Sequence, residues 1–353
     1  MADRNQQIIN EFLSDFPFLE KDNYIWELES GNGEKEKNIV FYGTNINDNN
    51  NVIYVKRIFI KFKDTDKNNH KQIFKEIYFT FFFQKYYYFL NKVDKLFSKN
   101  EEFLFLIFKD NNTISLKRLI NSKEKDYLNN NPNLIKWIIY QIAFGLYTLH
   151  SNNIIHFDIK PSNILINRRG DIFIIDFGSA IFKGENYYSY TSSHASPEFL
   201  INHVNDEKYD IWSLGITMIE LYLKDYSIFN NIKDKKKQLD EIFTKFGVED
   251  KYTNEDLIKE LNDNKKIKFQ IDKNILEKIN DKDAIDLLKN LLTFSPKERF
   301  TAKNVLDSKY LKKYKGIDSF ELKKNDILKT YPEILENPIK HKDFLKLIRE
   351  MKL

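Results

Sequence analysis

Between residues 24 and 110 the chain alternates short apolar runs with polar, turn-forming clusters. "YIWELE", "NIVFYG", "NVIYVKRIFIKF" and "FLFLIF" are separated by breaks such as "SGNG" and "TNINDNNN". Runs of this length, rich in Val, Ile, Tyr and Phe, predict strands of an antiparallel sheet. One helical stretch, near Lys71 to Lys85, interrupts them. From about Pro132 the periodicity becomes helical. "NLIKWIIYQIAFGLYTLHS" places Ile135, Ile138, Ile139, Ile142, Leu146 and Leu149 on one face. More helical pattern follows in "IWSLGITMIELYL", "QLDEIFTKFG" and "DAIDLLKNLLTF". A sheet-rich first part and a helix-rich second part predict an α+β protein of two lobes with a cleft between them. The expected divisions are an extension over 1–23, a small lobe over about 24–110, a larger lobe over about 111–314, and a charged helical tail over 315–353.

The apolar run "YFTFFFQKYYYFL", Tyr78 to Leu90, raises the question of a membrane. It is shorter than the ~20 residues a spanning helix needs, and Gln84 and Lys85 interrupt it, so it reads as a buried helix or hairpin edge. The start, "MADRNQQIINEF", lacks the apolar core of a signal peptide. A soluble protein, cytoplasmic or otherwise intracellular, is the expectation. Hydrophobic content of 42% and aromatic content of 15% supply an ample core. Fifty-six basic residues against 52 acidic ones leave a net charge of +4, well mixed along the chain. That balance is too weak to argue for nucleic acid or a membrane surface. With no cysteine, disulfides and thiol catalysis are excluded. The six histidines lack H-x-x-x-H spacing, which argues against a zinc site.

The chemistry concentrates in two stretches. "HFDIKPSN" offers a carboxylate, Asp158, an ammonium, Lys160, and an amide, Asn163. "IIDFGSA" follows, with Asp176 ending an apolar run and Gly178 where the backbone must turn. Phosphoryl transfer needs metal ions to neutralise phosphate charge, donors to fix the nucleotide, and a carboxylate to orient the attacking hydroxyl. Oxygen ligands from Asn163 and Asp176 suit Mg²⁺.

These stretches resemble the catalytic and metal-binding loops of eukaryotic-type Ser/Thr protein kinases. The resemblance implies Asp158 as catalytic base, Lys160 beside the transferring phosphate, and Asn163 and Asp176 as metal ligands, with Phe177 and Gly178 completing D-F-G. "SPEFL" resembles the A-P-E motif, with Glu198 expected to pair with Arg299 of "SPKERF". "YDIWSLG" resembles the helix whose Asp, here Asp210, receives backbone donors from the catalytic loop. Thr191, seven before Glu198, matches the Thr that links base and Lys. The likeness covers about Tyr24 to Tyr314, the expected kinase domain, and implies a small antiparallel sheet lobe with one helix and a larger, mostly helical lobe. The second half is most similar to the cyclin-dependent and MAP kinase branch, through "DFGSA", "QLDEIFTKFG" and "LLTFSPKERFTA". That branch's W-Y-R-[AS]-P-E reads "SHASPE" here, with Ala195 in the Arg position, so its proline-directed preference is not carried over.

The first half matches less regularly. Gly31 and Gly33 correspond to the phosphate-covering loop, but Glu36 falls where the third Gly belongs, and Val40 follows slightly late. The nucleotide-anchoring lysine is Lys56 in "IYVK" or Lys61 in "IFIK", and the spacing from Val40 favours Lys56. Its implied partner is Glu76, the only Glu between Lys56 and Glu101. Tyr54 then stands where a small Ala usually touches adenine, and Thr80 where an apolar side chain packs on the D-F-G Phe. Leu165 is the expected pocket floor and Phe108 the bulky gatekeeper.

The resemblance implies Mg-ATP as phosphate donor and a protein substrate, and identifies no regulatory partner. One departure stands out: Phe157 replaces the Arg that usually pairs with a phosphate on the activation segment. Segment Ser179 to Ala195 is therefore expected to reach its active shape without phosphorylation, or to be held by something else. Two other readings remain. One is a nucleotide-binding pseudokinase scaffold. The other is a small-molecule phosphotransferase sharing H-x-D-x-x-x-x-N, against which the platform residues Ser196, Pro197, Glu198 and Arg299 argue.

Overall fold

The computed structural model describes residues 2–15, 24–30, 38–47, 51–60, 73–80, 93–99, 103–111, 113–122, 128, 131–185, 192–225, 228–229, 232, 234–246 and 271–314. They fall into two compact units, the first reaching Thr113 and the second starting at Ile114.

The first unit is built on five antiparallel strands: β1 (Tyr24–Ser30), β2 (Asn38–Asn45), β3 (Asn51–Phe59), β4 (Val93–Lys99) and β5 (Phe103–Asn111), in the order β1-β2-β3-β5-β4. Alternate residues of a strand face opposite ways, so the sheet has two distinct faces. One carries Trp26, Ile39, Phe41, Ile53, Val55, Phe105 and Ile107, which form a core with Ile9 and Phe12 of helix α1 (Ala2–Asp15). Phe12 stacks on Phe41 at 4.0 Å and meets Trp26 edge-on at 5.2 Å. Gln6, Gln7, Asn10, Glu11 and Ser14 remain exposed. Trp26 lies opposite Gly43, where a β-carbon would stand 2.9 Å from the indole, so only glycine admits the ring. In the register of the other residue set, Val40 is opposite Lys56, and Tyr54 is opposite Tyr42 on one side and Phe108 on the other. Helix α2, over 73–80, is buried along its whole described length.

Strands β1, β2, β3 and β5 and helix α2 fall where the pattern placed them. Strand β4 was not anticipated, because Asp94 and Lys95 break up its apolar content. Neither was α1, whose apolar face rests on Ile8, Ile9, Phe12 and Leu13 within an otherwise polar stretch.

In the second unit, after strand β6 (Thr113–Ser115), helix α3 (Leu116–Asn121) starts from a Ser115 cap whose hydroxyl accepts from the Arg118 N–H at 3.2 Å. Helix α4 (Pro132–Ser151) buries all six residues of its expected apolar face, none more than 4% exposed. Short strands β7 (Ile154–Ile155), β8 (Ile164–Asn167), β9 (Ile172–Ile174) and β10 (Ile181–Phe182) follow, β7 pairing with β10 and β8 with β9. Helices α5 (Pro197–Asn202), α6 (Lys208–Leu223), α7 (Lys235–Lys245), α8 (Lys273–Lys278), α9 (Lys282–Leu291) and α10 (Ala302–Leu306) follow among its described residues. Helix α6 is buried from Tyr209 to Leu221, which makes it the axis of the unit. Among the described residues no helix is long and apolar enough to cross a membrane. Of the run Tyr78 to Leu90, 78–80 belong to α2 and the rest lies outside the described residues, as does the tail expected over 315–353.

Because Phe12 is 2% exposed and joins α1 to the sheet, Phe12→Ala should cost about 3 kcal/mol of unfolding free energy. A lowered urea midpoint, with faster amide exchange in β1, β2 and β3, is the expected readout; an unchanged midpoint would show that α1 contributes nothing to the unit.

Candidate active site

In the first unit the Lys56 ammonium pairs with the Glu76 carboxylate. Both side chains are largely buried, at 12% and 4% exposure, so each charge depends on the other for compensation. Tyr54, two residues before Lys56 on the same strand, donates its hydroxyl to the Thr113 carbonyl at 3.3 Å and lies 4.9 Å from the Tyr42 ring. Val40 and Phe108 pack against this tyrosine pair. Thr80 is buried on α2. Lys61, Gly31, Gly33 and Glu36 lie outside the described residues.

The second unit brings the loop residues together around Asp210, near the start of α6. Its fully buried carboxylate accepts the backbone N–H of His156 at 2.8 Å and of Phe157 at 2.9 Å, and contacts His150 Nε2 at 2.9 Å. Two consecutive amides held by one carboxylate fix the loop's direction. Phe157 itself has φ of +63°, a conformation a bulky residue rarely adopts, at a cost of roughly 1–3 kcal/mol. Its ring offsets that cost: fully buried, it stacks on Tyr209 at 4.4 Å and meets Phe199 of α5 edge-on at 5.6 Å.

One residue further on, Asp158 is held on both sides. Lys160 Nζ lies 2.9 Å from Asp158 Oδ2, and Asn163 Nδ2 donates to the same oxygen at 2.7 Å and to the Asp158 carbonyl at 2.9 Å. With the amide nitrogen of Asn163 committed to Asp158, its Oδ1 is the end suited to a cation. The Asn163 carbonyl also accepts from the Ile175 N–H at 2.9 Å, tying this loop to the residue before Asp176. Asp176 has φ of +66° and accepts from the Gly178 N–H at 3.2 Å. Phe177 is fully buried, its ring 5.1 Å from the His156 imidazole. Leu165, on β8, is 4% exposed. Thr191 lies outside the described residues.

His156 links the two loops. Its Nε2 donates to the Ile175 carbonyl at 3.1 Å, which leaves Nδ1 to accept the Asp158 N–H at 3.3 Å. Complete burial lowers its pKa from the ordinary 6.5, although Asp210, Asp158, Asp176 and the Ile175 carbonyl pull the other way.

Arg299 is 1% exposed, and all five of its N–H groups find acceptors. Glu198 takes two at 2.7 and 2.8 Å, and the carbonyls of Thr293, Lys208 and Phe294 take the others. The expected Glu198–Arg299 pair is thus present, as is the reception of loop amides by Asp210. The roles of Phe199 and Tyr209 escaped the sequence reading, because nothing local to either residue signals contact with Phe157.

Among the described residues no three His, Asp or Glu side chains converge in a metal-binding cluster. The donor set still fits Mg²⁺, which needs only one or two protein oxygens when phosphate oxygens and water complete its shell.

Residues 31–311 match the protein kinase domain family, and the chain belongs to that family. It is 32% identical over 212 residues to mitogen-activated protein kinase HOG1 of Ustilaginoidea virens, covering 56% of this chain and 54% of that protein. It is 33% identical over 209 residues to mitogen-activated protein kinase hog-1 of Neurospora crassa, and 34% over 209 to HOG1 of Colletotrichum orbiculare, with 56% of each chain covered in both cases. The chain thus spans a little over half the length of these relatives. They agree with the likeness to the MAP kinase branch read from the second half.

Removing the guanidinium would leave Glu198 buried and uncompensated, so Arg299→Ala should lower the unfolding free energy by about 3–5 kcal/mol, measured by chemical denaturation. A loss under ~1 kcal/mol would mean that water replaces the guanidinium. The His156 shift predicts acid lability with a definite sign. A lowered folded value means the imidazole's stability contribution is complete above about 6.5 and is lost as pH falls below it, since the unfolded chain takes up the proton more readily. Unfolding free energy should therefore drop from pH 6.5 toward pH 5, by at most about 1.4 kcal/mol per pH unit from this group. His156→Gln should show a shallower slope; an unaltered slope would acquit His156.

Proposed function

We propose that the chain is an ATP-dependent protein Ser/Thr kinase that transfers the γ-phosphoryl group of Mg-ATP to hydroxyls of a protein substrate. The observation that carries this reading is the Asp158 carboxylate held between the Lys160 ammonium and the Asn163 amide. A carboxylate so restrained can accept the proton of an attacking hydroxyl without first reorganising. As the substrate oxygen bonds to the γ-phosphorus, the bond to the β,γ-bridging oxygen breaks and ADP departs. Lys160 lies beside that base and compensates the charge that spreads over the phosphoryl oxygens.

Asn163 and Asp176 are the residues proposed to hold Mg²⁺, which when bound neutralises phosphate charge. Lys56, kept in place by Glu76, is the proposed nucleotide anchor. Gly31, Gly33, Val40 and Leu165 are assigned to the nucleotide, and Thr191 to the link between base and lysine. The kinase domain is assigned to 24–314, with 1–23 as an extension and 315–353 as a tail. An intracellular location and a protein substrate accompany this assignment.

The aromatic packing of Phe157 supports a second element of the proposal. Where a charged residue would await a phosphate, Phe157 joins the catalytic loop to Phe199 of α5 through ring contacts that need no modification. The activation segment is thus proposed to adopt its working shape unphosphorylated.

The test is label transfer from ATP and Mg²⁺ to generic protein substrates, beside Asp158→Asn and Asp176→Asn. Turnover of roughly 1–100 per second, lost at least about 10²-fold in both variants, is expected. Nucleotide binding without transfer above these controls would select the pseudokinase scaffold, and transfer only to small hydroxyl compounds the small-molecule enzyme. Phosphatase treatment should leave the rate unchanged; a rate that collapses and returns on rephosphorylation would overturn the role given to Phe157.

A further inference from the structure

The segment before Glu198 contains a set of contacts that phosphate transfer to an outside substrate does not use. Ser193 Oγ lies 2.9 Å from His194 Nδ1, and His194 Nε2 lies 3.2 Å from Glu220 Oε2. Helices α6 and α7 both pack against Ser192–His194. His194 is 4% exposed, and its carbonyl is fixed by the Ser213 hydroxyl at 2.9 Å. Glu220 is 1% exposed, and among the described residues its Oε1 has no hydrogen-bond partner, so the His194 imidazole is the partner seen for this carboxylate there. Burial pushes its carboxyl pKa up, and His194 pulls it back. Ser193 is half-buried and keeps contact with solvent.

A hydroxyl in reach of an imidazole that a carboxylate orients from its far nitrogen is the arrangement that activates serine nucleophiles, whatever the order of the residues in the chain. With Nε2–H directed at Glu220, Nδ1 is the lone-pair nitrogen and accepts the Ser193 proton. A buried imidazole needs partners on both nitrogens in any case; what sets this one apart is that its Nδ1 partner is a hydroxyl in contact with solvent, while a buried carboxylate holds the far nitrogen.

We propose that Ser193 is an activated nucleophile and a covalent acceptor of phosphoryl groups, with His194 as its base and Glu220 holding the imidazole. With a nucleoside triphosphate as donor, Ser193 Oγ bonds to the γ-phosphorus, the bond to the β,γ-bridging oxygen breaks, the diphosphate leaves with that electron pair, and the proton passes to His194 Nδ1. The imidazolium then sits between the new phosphate and the Glu220 carboxylate, paired on both sides. Only the identity of the donor rests on the kinase reading; the nucleophile does not. Phosphate on Ser193 follows from the chemistry of its neighbours and does not switch the enzyme on, in keeping with the role of Phe157.

Two arms test this on the full chain. In the first, the wild type, Ser193→Ala and His194→Gln are incubated with Mg-ATP, phosphate on Ser193 is read by mass spectrometry, and transfer to a generic protein substrate is followed in the same tubes. In the second, a fluorophosphonate replaces ATP and phosphonylation of Ser193 is read the same way. Both labels should appear on Ser193 in the wild type. In His194→Gln, which keeps a donor for Glu220, both should slow by about 10²-fold, with transfer to the outside substrate preserved. Glu220→Gln, which leaves the Ser193–His194 contact in place, is the second variant and should slow both labels at least about tenfold. Outside transfer with Ser193 bare would overturn the proposal, as would no phosphonylation in the folded wild type or wild-type labelling rates in both His194→Gln and Glu220→Gln. Phosphonylation of Ser193 in a chain that transfers nothing from ATP would uphold it and sink the kinase reading instead.

Discussion

The Asp210 carboxylate is the constraint on which the second unit's chemistry depends. It sits near the start of a helix buried along almost its whole length, and it spends both oxygens on consecutive amides of one loop. A buried carboxylate without such donors would be costly. The loop, without the carboxylate, would relax out of the left-handed turn at Phe157. Each defect is therefore the other's remedy, and the product is a fixed position for the next residue, Asp158. Everything that touches Asp158, from Lys160 to the His156 imidazole, inherits that position.

Aromatic packing extends the same logic sideways. Phe157 faces Tyr209 on α6 and Phe199 on α5, so the loop, the central helix and the helix that holds Glu198 share one apolar seam. Arg299 ties Glu198 of α5 with two hydrogen bonds and spends its other donors on the carbonyls of Thr293, Lys208 and Phe294. A strained backbone is tolerated where the surroundings over-determine it, and here the seam and the ion pair do so together.

The sequence made most of this legible for reasons that are themselves physical. Long helices announce themselves by period, as α4 did with six apolar residues on one face. Catalytic loops announce themselves because several unlike polar residues must recur at fixed spacing, as Asp158, Asn163 and Asp176 do. What stayed hidden depends on partners distant in the chain. Helix α1 has a short apolar stripe that only the sheet makes meaningful, and β4 is a strand by virtue of pairing with β5 rather than by its own composition. Phe157 could be seen as a missing charge but not as a gained contact, because Phe199 and Tyr209 lie more than forty residues away. The Ser193, His194 and Glu220 contacts were invisible for the same reason, since Glu220 approaches from another helix.

The two-faced sheet of the first unit has a consequence for how the chain is made. Phe12 is made 93 residues before Phe105, one of the rings it packs near. At roughly 5–20 residues per second, that delay is about 5–20 s. Throughout it, α1 is an amphipathic segment without a home, and the strands it will cover present an open apolar face. Contacts this far apart in sequence are slow to form and leave their surfaces available to other chains in the meantime. The first unit thus offers a chaperone an apolar surface to hold until β5 has been made.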